Sequence, residues 1–554
     1  MVVLLWAGLL APLWPGIGIV ATRRFDSTYA KFFRSQRHLY LEQNTFQRNR
    51  WQTAAELSLD PNITREWTFL MRITCAIGCV LVTTLFLVSP WRVATAQNIL
   101  LITADDMNWD SLGCFGNELE GVSPNLDELA SQGVRFQHAY VTIAICQPCR
   151  ASIMTGRYPH RSGALGFDKI KRDVPTLPEK LRENGYYTAA IGKAVHTIPS
   201  RHKTAFDETY DMHELGYGRS PKRYRERTAG AVQNAIAAGK SFFINVNMHD
   251  PHRPFANAPQ ERRDQRPELW AEVPLVENPY DPAKIPLPGF LPDLPEVRLE
   301  MAEYFTSVRR CDHIVGEVLE ALEASKTAEN TVVIFLSDHG IAVPFAKTNC
   351  WMHSNRTPLI VRWPGKTPAG NIISHKMVNS VDIPSTILDI LGLENLSGAD
   401  GKSFRGLIDP RADNRDAGRD QIFVHLNAPF SRKSFAMRGV ITGKSGYIWN
   451  GWANGETKFS NESMSGRTFA AMAEAAKHNT GIAKRVKHYL YRCPEEFYEY
   501  TRDPDALANL VEDPEMQRQV TRARSKLLDH MLRTDDPQLE NFRAFVKQKD
   551  AKNQ

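Results

Sequence analysis

The sequence predicts an α/β fold, a large and mostly parallel sheet between layers of helices, followed by a smaller C-terminal α+β unit. Three observations predict it. Short apolar, β-branched runs recur along the chain and each stops at polar residues; segments with helical spacing lie between them; after about residue 415 the pattern changes to short strands and one polar helix. A length of 554 residues accommodates one large domain with a companion. With 42% hydrophobic and 23% charged residues, wholesale disorder is excluded. Ordinary Gly and Pro content and the lack of an internal period exclude collagen-like and solenoid arrays.

Taken in chain order, the first run is Asn98–Ala104 (NILLITA), ending at Asp105-Asp106. Helical spacing follows at Pro124–Gly133 and again at Thr176–Asn184. Residues 186–192 (YYTAAIG) end at Lys193, with His196 close behind, and residues 241–248 (SFFINVNM) end at His249-Asp250-Pro251-His252. A long helix is expected over Leu299–Ser325, and then residues 331–337 (TVVIFLS) end at Asp338-His339-Gly340. Runs apolar on both faces read as buried parallel strands. In such sheets ligands bind beyond the carboxyl ends of the strands, so the four polar sets are expected to converge on one crevice. Pro384–Gly392 reads as a helix ending at glycine, and Gly398–Pro410 as a turn-rich connector. Gln421–Leu426 and Gly446–Trp449 read as strands, and Pro514–Arg533 as a polar helix.

The leader is a separate matter. From Met71 a basic residue (Arg72), an apolar stretch over Ile73–Val88 and Ala94-Thr95-Ala96 describe a secretory signal peptide cleaved after Ala96. The expected organisation is therefore 1–70 as a non-native N-terminal extension, 71–96 as signal peptide, 97–415 as catalytic domain and 416–554 as the smaller domain. Export to a periplasmic, secreted or lysosomal-type compartment follows, with membrane anchoring by the N-terminal apolar segments as the alternative. The net charge is +6, but the first 96 residues hold ten Lys/Arg against five Asp/Glu, leaving +1 for the rest. Bulk-charge binding of nucleic acid is thereby excluded. Six cysteines lie beyond the leader (Cys114, Cys146, Cys149, Cys311, Cys350, Cys493), too sparse for a disulfide framework.

Cys146-Gln147-Pro148-Cys149-Arg150 admits three readings. A redox pair needs a thioredoxin-like unit around it, and a zinc clip needs two further soft ligands, yet no second C-x-x-C follows the leader. The third reading starts a helix at Cys146, with Pro148 in its first turn and Gly156 near its end. Such a helix start favours an anion.

C-x-P-x-R followed by A-S-x-M-T-G-R resembles the signature of the type I sulfatases, whose first cysteine is oxidised to formylglycine. NILLITADDMNWDSLGCFGN, NGYYTAAIGK, VVIFLSDHG, RTPLIVRWPG and FYEYTRDPDALANL resemble that family's segments in the same order, so the likeness spans 98–530. It implies an alkaline-phosphatase/sulfatase-like sandwich that hydrolyses a sulfuric ester or sulfamate. It also implies that Asp105, Asp106, Asp338 and His339, with Cys146 as formylglycine, hold one Ca²⁺. Cys146 is then the nucleophile and Arg150 its support, while Lys193, His196, His249 and Lys347 surround the sulfate. His196 as base and His249 as acid is one assignment; the reverse is the other. The implied partners are a sulfated saccharide substrate and a formylglycine-generating maturation enzyme.

The chain departs from the family pattern in places. Lys193-Ala194-Val195-His196 is one residue longer than K-x-H, His339 stands where asparagine is commoner, and Met352 where many members carry glutamate. A Cys146–Cys149 disulfide would block maturation, so Cys149 is expected to stay reduced. HDPHRPF, the stretch from Tyr280 to Asp312, and SDHGIAVPFAKTN most resemble the N-sulfoglucosamine sulfohydrolase branch. The K-x-x-H spacing and Asp-His pair lean toward the iduronate 2-sulfatase branch, which leaves N- or O-sulfate open. His252 and Arg253 are candidates to line the saccharide pocket, each equally readable as a solvated loop residue. The alternatives are a phosphoester or phosphonate-ester hydrolase of the same superfamily, and a catalytically silent glycan-binding surface protein. The sequons at Asn355, Asn395 and Asn461 read as chance matches.

Overall fold

The computed structural model describes residues 97–554 apart from 262, 266, 413–417, 430–432, 553 and 554. The expected signal segment and the 1–70 extension lie outside these residues, and the expected boundary at 415/416 falls within 413–417. Among the described residues no helix is long and apolar enough to cross a membrane.

The strands run β1 (Asn98–Asp105), β2 (Val134–Phe136), β3 (Ala139–Tyr140), β4 (Tyr187–Ile191), β5 (Glu208–Tyr210), β6 (Phe242–Pro251) and β7 (Thr331–Ser337). Then come β8 (Leu359–Arg362), β9 (Asn371–Ile373), β10 (Val378–Asn379), β11 (Gln421–Leu426), β12 (Met437–Thr442), β13 (Ser445–Asn450) and β14 (Glu495–Glu499). The longer helices are α1 (Pro124–Ser131), α2 (Cys146–Thr155), α3 (Leu177–Glu183), α4 (Pro221–Ala237) and α5 (Pro295–Ala324). They continue as α6 (Asp382–Ile390), α7 (Arg467–Ala475), α8 (Thr480–Tyr491), α9 (Gln517–Arg533) and α10 (Leu539–Lys552).

Eight strands form one sheet in the order β5-β4-β6-β1-β7-β8-β2-β9. β1 is central, parallel to β6 and β7, with Ile99 opposite both Phe243 and Val332. Only β8 opposes its neighbours β7 and β2 in this sheet. Every residue of β1 and β7 is buried, which is why those runs are apolar on both faces. The helix expected over 299–325 starts earlier, at Pro295, where a missing N–H costs nothing. Val297, Met301, Tyr304, Val308, Cys311, Val315, Val318 and Leu322 recur at alternating steps of four and three and are all buried. That stripe turns α5 onto α4 and β6.

The second sheet is antiparallel, β11-β12-β13-β14, with Gln421 opposite Thr442. Its strands alternate strictly. Ile422, Val424, Leu426, Met437, Ile441 and Ile448 join the main core, while Phe423, Val440, Tyr447, Trp449 and Phe497 form a second core with Val520, Leu527 and Met531 of α9. The helix expected to be polar is therefore amphipathic, its apolar positions too widely spaced for charge-rich composition to reveal. Beside this sheet His160, His425 and His530 surround Asp536, which Arg438 grips through two hydrogen bonds of 2.5 and 2.9 Å. Of the three sequons, Asn355 is wholly buried with its amide donating to the Asn349 and Trp351 carbonyls, so it has no access to a glycan.

Candidate active site

The four polar strand ends lie on adjacent strands, β4-β6-β1-β7. Beyond β1 the chain turns at Asp106 (φ 65°), and its N–H donates to Asp338 Oδ1 at 3.2 Å, joining the ends of β1 and β7. Lys193 follows β4 in a left-handed conformation (φ 46°). Two non-glycine residues held there mark strained backbone of the kind that collects at functional sites.

α2 brings the cysteine to these ends. Ile145 caps it in extended conformation, Pro148 sits in its first turn, and Gly156 (φ 65°) closes it by donating to the Ser152 carbonyl. All ten helical residues are buried, Cys146 being 5% exposed. Burial pushes the Cys146 thiol up to about 12, against the pull of Lys347. A thiol so weakly acidic is a poor nucleophile as it stands. One turn on, Arg150 donates through Nε to Asp338 Oδ2 (3.0 Å), through Nη1 to Asn247 Oδ1 (2.5 Å) and through Nη2 to the Ala104 carbonyl (3.3 Å). It pins α2 to β1, β6 and β7 at once. Asn247 went unremarked in the sequence, although Asn245 and Asn247 alternating inside an apolar run were a visible signal.

Donor atoms of Asp105, Asp106, Asp338 and His339 lie within 4.8 Å of one another, all buried. Lys193 forms an ion pair with Asp105, and the Lys347 ammonium sits 2.9 Å from Asp106 Oδ1. Burial opposes ionisation of Asp338, but the charges of Arg150, Lys193 and Lys347 hold its carboxyl well below the usual carboxylate range. His339 Nδ1–H donates to the Gly340 carbonyl at 2.9 Å, so Nε2 carries the lone pair. That lone pair has no hydrogen bond and faces Asp106 Oδ1 at 3.4 Å and Asp338 Oδ1 at 3.6 Å. Acceptors turned on one another in a dry site fit a hard cation, the carboxylates as first-choice oxygen ligands.

Two further histidines flank this cradle, both unprotonated at neutral pH. Burial, followed by the Lys193 charge, lowers His196 to about 3 and His249 well below its ordinary value. Nδ1 of each lacks a hydrogen bond. Gly218 (φ 73°) backs onto His249 so closely that a Cβ there would lie 2.0 Å from Nδ1. Gly218→Ala is therefore expected to displace the ring and, with His249 in the proton-transfer role proposed below, to lower kcat by about 10²-fold, together with a melting temperature lowered by the left-handed alanine. Steady-state kinetics beside a melting curve check this.

His252 Nε2 lies 3.1 Å from Glu462 and 3.9 Å from Asp106, at the edge of the site. Arg253 is drawn away by Glu300 of α5, at 3.0 and 3.1 Å. Asp250 also points inward, held by Arg310 (2.6 and 2.9 Å) and by Arg219 (3.3 Å), so it braces the end of β6. Met352 is buried in the main core. Glu462 joins the site from far along the chain, its carboxylate 2.9 Å from Lys347. Lys347, aided by His252, holds that carboxyl well below the usual range. No motif around Asn461-Glu462-Ser463 announces it.

The family model described as Sulfatase matches residues 97–393. The chain is 29% identical to human N-sulphoglucosamine sulphohydrolase over 469 residues, 80% of this chain and 91% of that protein. It is 31% identical to mouse iduronate 2-sulfatase over 337 residues, 49% of this chain and 60% of that protein. In fold it resembles a protein solved with its substrate D-glucosamine-2-N,6-O-disulfate (TM-score 0.60, 19% identity, 80% of this chain and 99% of that one). A phosphonate monoester hydrolase from Silicibacter pomeroyi is similar too (TM-score 0.58, 19% identity, 80% and 96%). With the helix that begins at Cys146, the buried acid cluster and both lysines lying inside the matched span or bordering it in space, the chain belongs to the sulfatase family of sulfuric ester and sulfamate hydrolases.

Proposed function

We propose that the protein releases inorganic sulfate from a sulfated saccharide, with a heparan-type N-sulfoglucosamine the favoured group, through formylglycine made from Cys146. The observation that carries this reading is charge balance around one centre. With every group ionised, Asp105, Asp106, Asp338 and Glu462 oppose Lys193, Lys347 and Arg150, leaving one negative charge that a divalent ion and a monoanionic sulfate together neutralise; burial lowers Lys193 to about 7, and its ion pair with Asp105 and an arriving anion favour the charged form. A dianionic phosphate monoester leaves an excess, which favours sulfate over that substrate, whereas a phosphonate monoester carries the same single charge as a sulfate ester and is set aside by the relatives' match instead. Identity to N-sulphoglucosamine sulphohydrolase over most of both chains favours N-sulfate, and the iduronate 2-sulfatase match keeps O-sulfate as the second reading.

Asp105, Asp106, Asp338, His339 and residue 146 would hold Ca²⁺, which draws charge from the sulfate oxygens when bound. As formylglycine hydrate, residue 146 supplies the hydroxyl that attacks sulfur. Lys193 and Lys347 place fixed positive charge where negative charge accumulates, and Arg150 fixes the helix start against Asp338. His196 and His249 divide the proton work. His196, neutral at rest, accepts the hydrate proton, and His249, which takes up a proton when the bound sulfate anion offsets the Lys193 charge, delivers it to the departing oxygen or nitrogen; the reverse assignment is the alternative. His252 borders the substrate, and Arg253 supports that border from its ion pair with Glu300. Maturation requires a formylglycine-generating enzyme, and export through the 71–96 segment supplies the compartment.

Protein co-expressed with such a maturation enzyme is to be assayed on heparin-derived disaccharides, N-sulfated against 2-O-sulfated. Sulfate release from the N-sulfated compound supports the reading; modified protein releasing none from either would sink it. Cys146 and Cys149 are both free thiols, and burial raises Cys149 far above the ordinary thiol value. Peptide mass spectrometry is expected to show Cys149 reduced beside an aldehyde at 146, and a 146–149 bridge would contradict the mechanism.

A further inference from the structure

Two side chains that take no part in bond cleavage or proton transfer, Glu462, paired with Lys347, and His252, stand at the outer edge of the site. The Glu462 side chain is 35% exposed and its partner His252 25%, whereas Lys347, Asp106, Asp338 and His339 beneath them are at most 1% exposed. The body of a substrate whose sulfate reaches residue 146 therefore lies against Glu462 and His252. On the His196 side, Phe167 is 41% exposed and meets the His196 ring edge-on at 5.9 Å, and Val195, beside His196 in the chain, is 52% exposed. A carboxylate next to an anion-binding centre repels that anion. Lys347 and His252 each hold one of its oxygens, and the lone pairs left on its exposed side can accept from donors on the rest of the substrate, hydroxyl or amino groups to which an ionised acceptor bonds strongly. An exposed aromatic ring supplies the complementary contact, a flat apolar surface for C–H groups. A pyranose ring carries both, polar groups around its edge and C–H bonds on its face.

We infer that Glu462 and Phe167 form a saccharide subsite, Glu462 accepting hydrogen bonds from the sugar's hydroxyl or amino groups and Phe167 covering its C–H face. The subsite rests on the reading of the protein as a saccharide sulfatase. It has a distinct signature, because an aryl sulfate offers the sulfate without the sugar donors. The test compares kcat/KM for an N-sulfated heparin disaccharide with that for 4-methylumbelliferyl sulfate, in wild type, Glu462→Gln and Phe167→Ala. The disaccharide-to-aryl ratio is expected to fall about tenfold in each variant, the worth of one charge-assisted hydrogen bond or a lost ring contact. A ratio staying within about twofold of wild type in either variant overturns the subsite, leaving Glu462 as a positioning residue for Lys347 and Phe167 as cover for His196. Wild-type protein inert toward both compounds sinks the functional reading instead. In that event the contrast is read in Cys146→Ala protein by calorimetry, as affinity for disaccharide against affinity for inorganic sulfate, with the same thresholds.

Discussion

Replacing Cys146 by alanine is expected to lower sulfate release by at least about 10⁴-fold in kcat/KM, about 5 kcal/mol of lost transition-state stabilisation. The size follows from the site's division of labour. Lys193, Lys347 and Arg150 are held by acidic partners and do not depend on the sulfur atom, so under the proposed mechanism substrate binding survives while the attacking hydroxyl is gone. Folding survives as well, because α2 is anchored by Arg150 and by its buried length. Sulfate release measured beside a melting curve and disaccharide binding separates three cases. Lost turnover with retained binding is the expected result. Turnover persisting within about tenfold of wild type would remove residue 146 from the chemistry. Wild-type protein that binds saccharide yet never turns over, like the variant, would favour a silent glycan-binding protein.

The second large effect is on stability. Acidification from about pH 7.5 to about pH 5 is expected to destabilise the fold by about 2 kcal/mol through His530, with a further loss in the same direction from His425. Burial lowers His530 to about 3 and His425 well below its ordinary value of 6.5, each pressed further by neighbouring rings and Arg438. In the unfolded chain both rings take up protons as the pH falls through 6.5, whereas in the fold they do not. Their stabilising effect is complete above that value and is lost on the way down to the folded values, at about 1.4 kcal/mol per pH unit for each ring. Asp536, held below its ordinary value chiefly by Arg438 against the effect of burial, adds a further loss at lower pH. Urea midpoints across this range check the slope. In His530→Phe, where the ring stacked on Phe423 becomes untitratable, the loss by about pH 5 is expected to shrink by about 2 kcal/mol. An unchanged slope would show that the ring titrates freely in the fold.

The sequence made the sheet-borne chemistry readable because each strand of a parallel sheet is a contiguous apolar run, and its ligands follow within a few residues. Asp105-Asp106, Lys193, His249 and Asp338-His339 stand next to the runs that deliver them. The helix at Cys146 was legible from Pro148 and Gly156 for the same local reason. What escaped is non-local. Glu462 meets Lys347 only because the second sheet packs on the first, and Gly218 backs His249 from the loop before α4, which no short-range pattern encodes. Arg253 looked available to substrate because the sequence does not show Glu300 reaching it from α5. The amphipathic character of α9 was masked by charged residues around a sparse apolar stripe.

The delivery of Glu462 from outside the parallel sheet has a consequence for divergence. The turn Glu462–Ser465 and the residues leading into it from β13 reach Lys347 through two side chains, the Glu462 carboxylate at its ammonium and the Asn461 amide at its carbonyl, while the acid cluster and the cysteine helix belong to other parts of the chain. Exposed positions such as Glu456, ahead of the buried Phe459, can thus vary while Asn461 and Glu462 keep their hold on Lys347. A combinatorial library confined to those exposed positions is the natural starting material for altering the rim of the site.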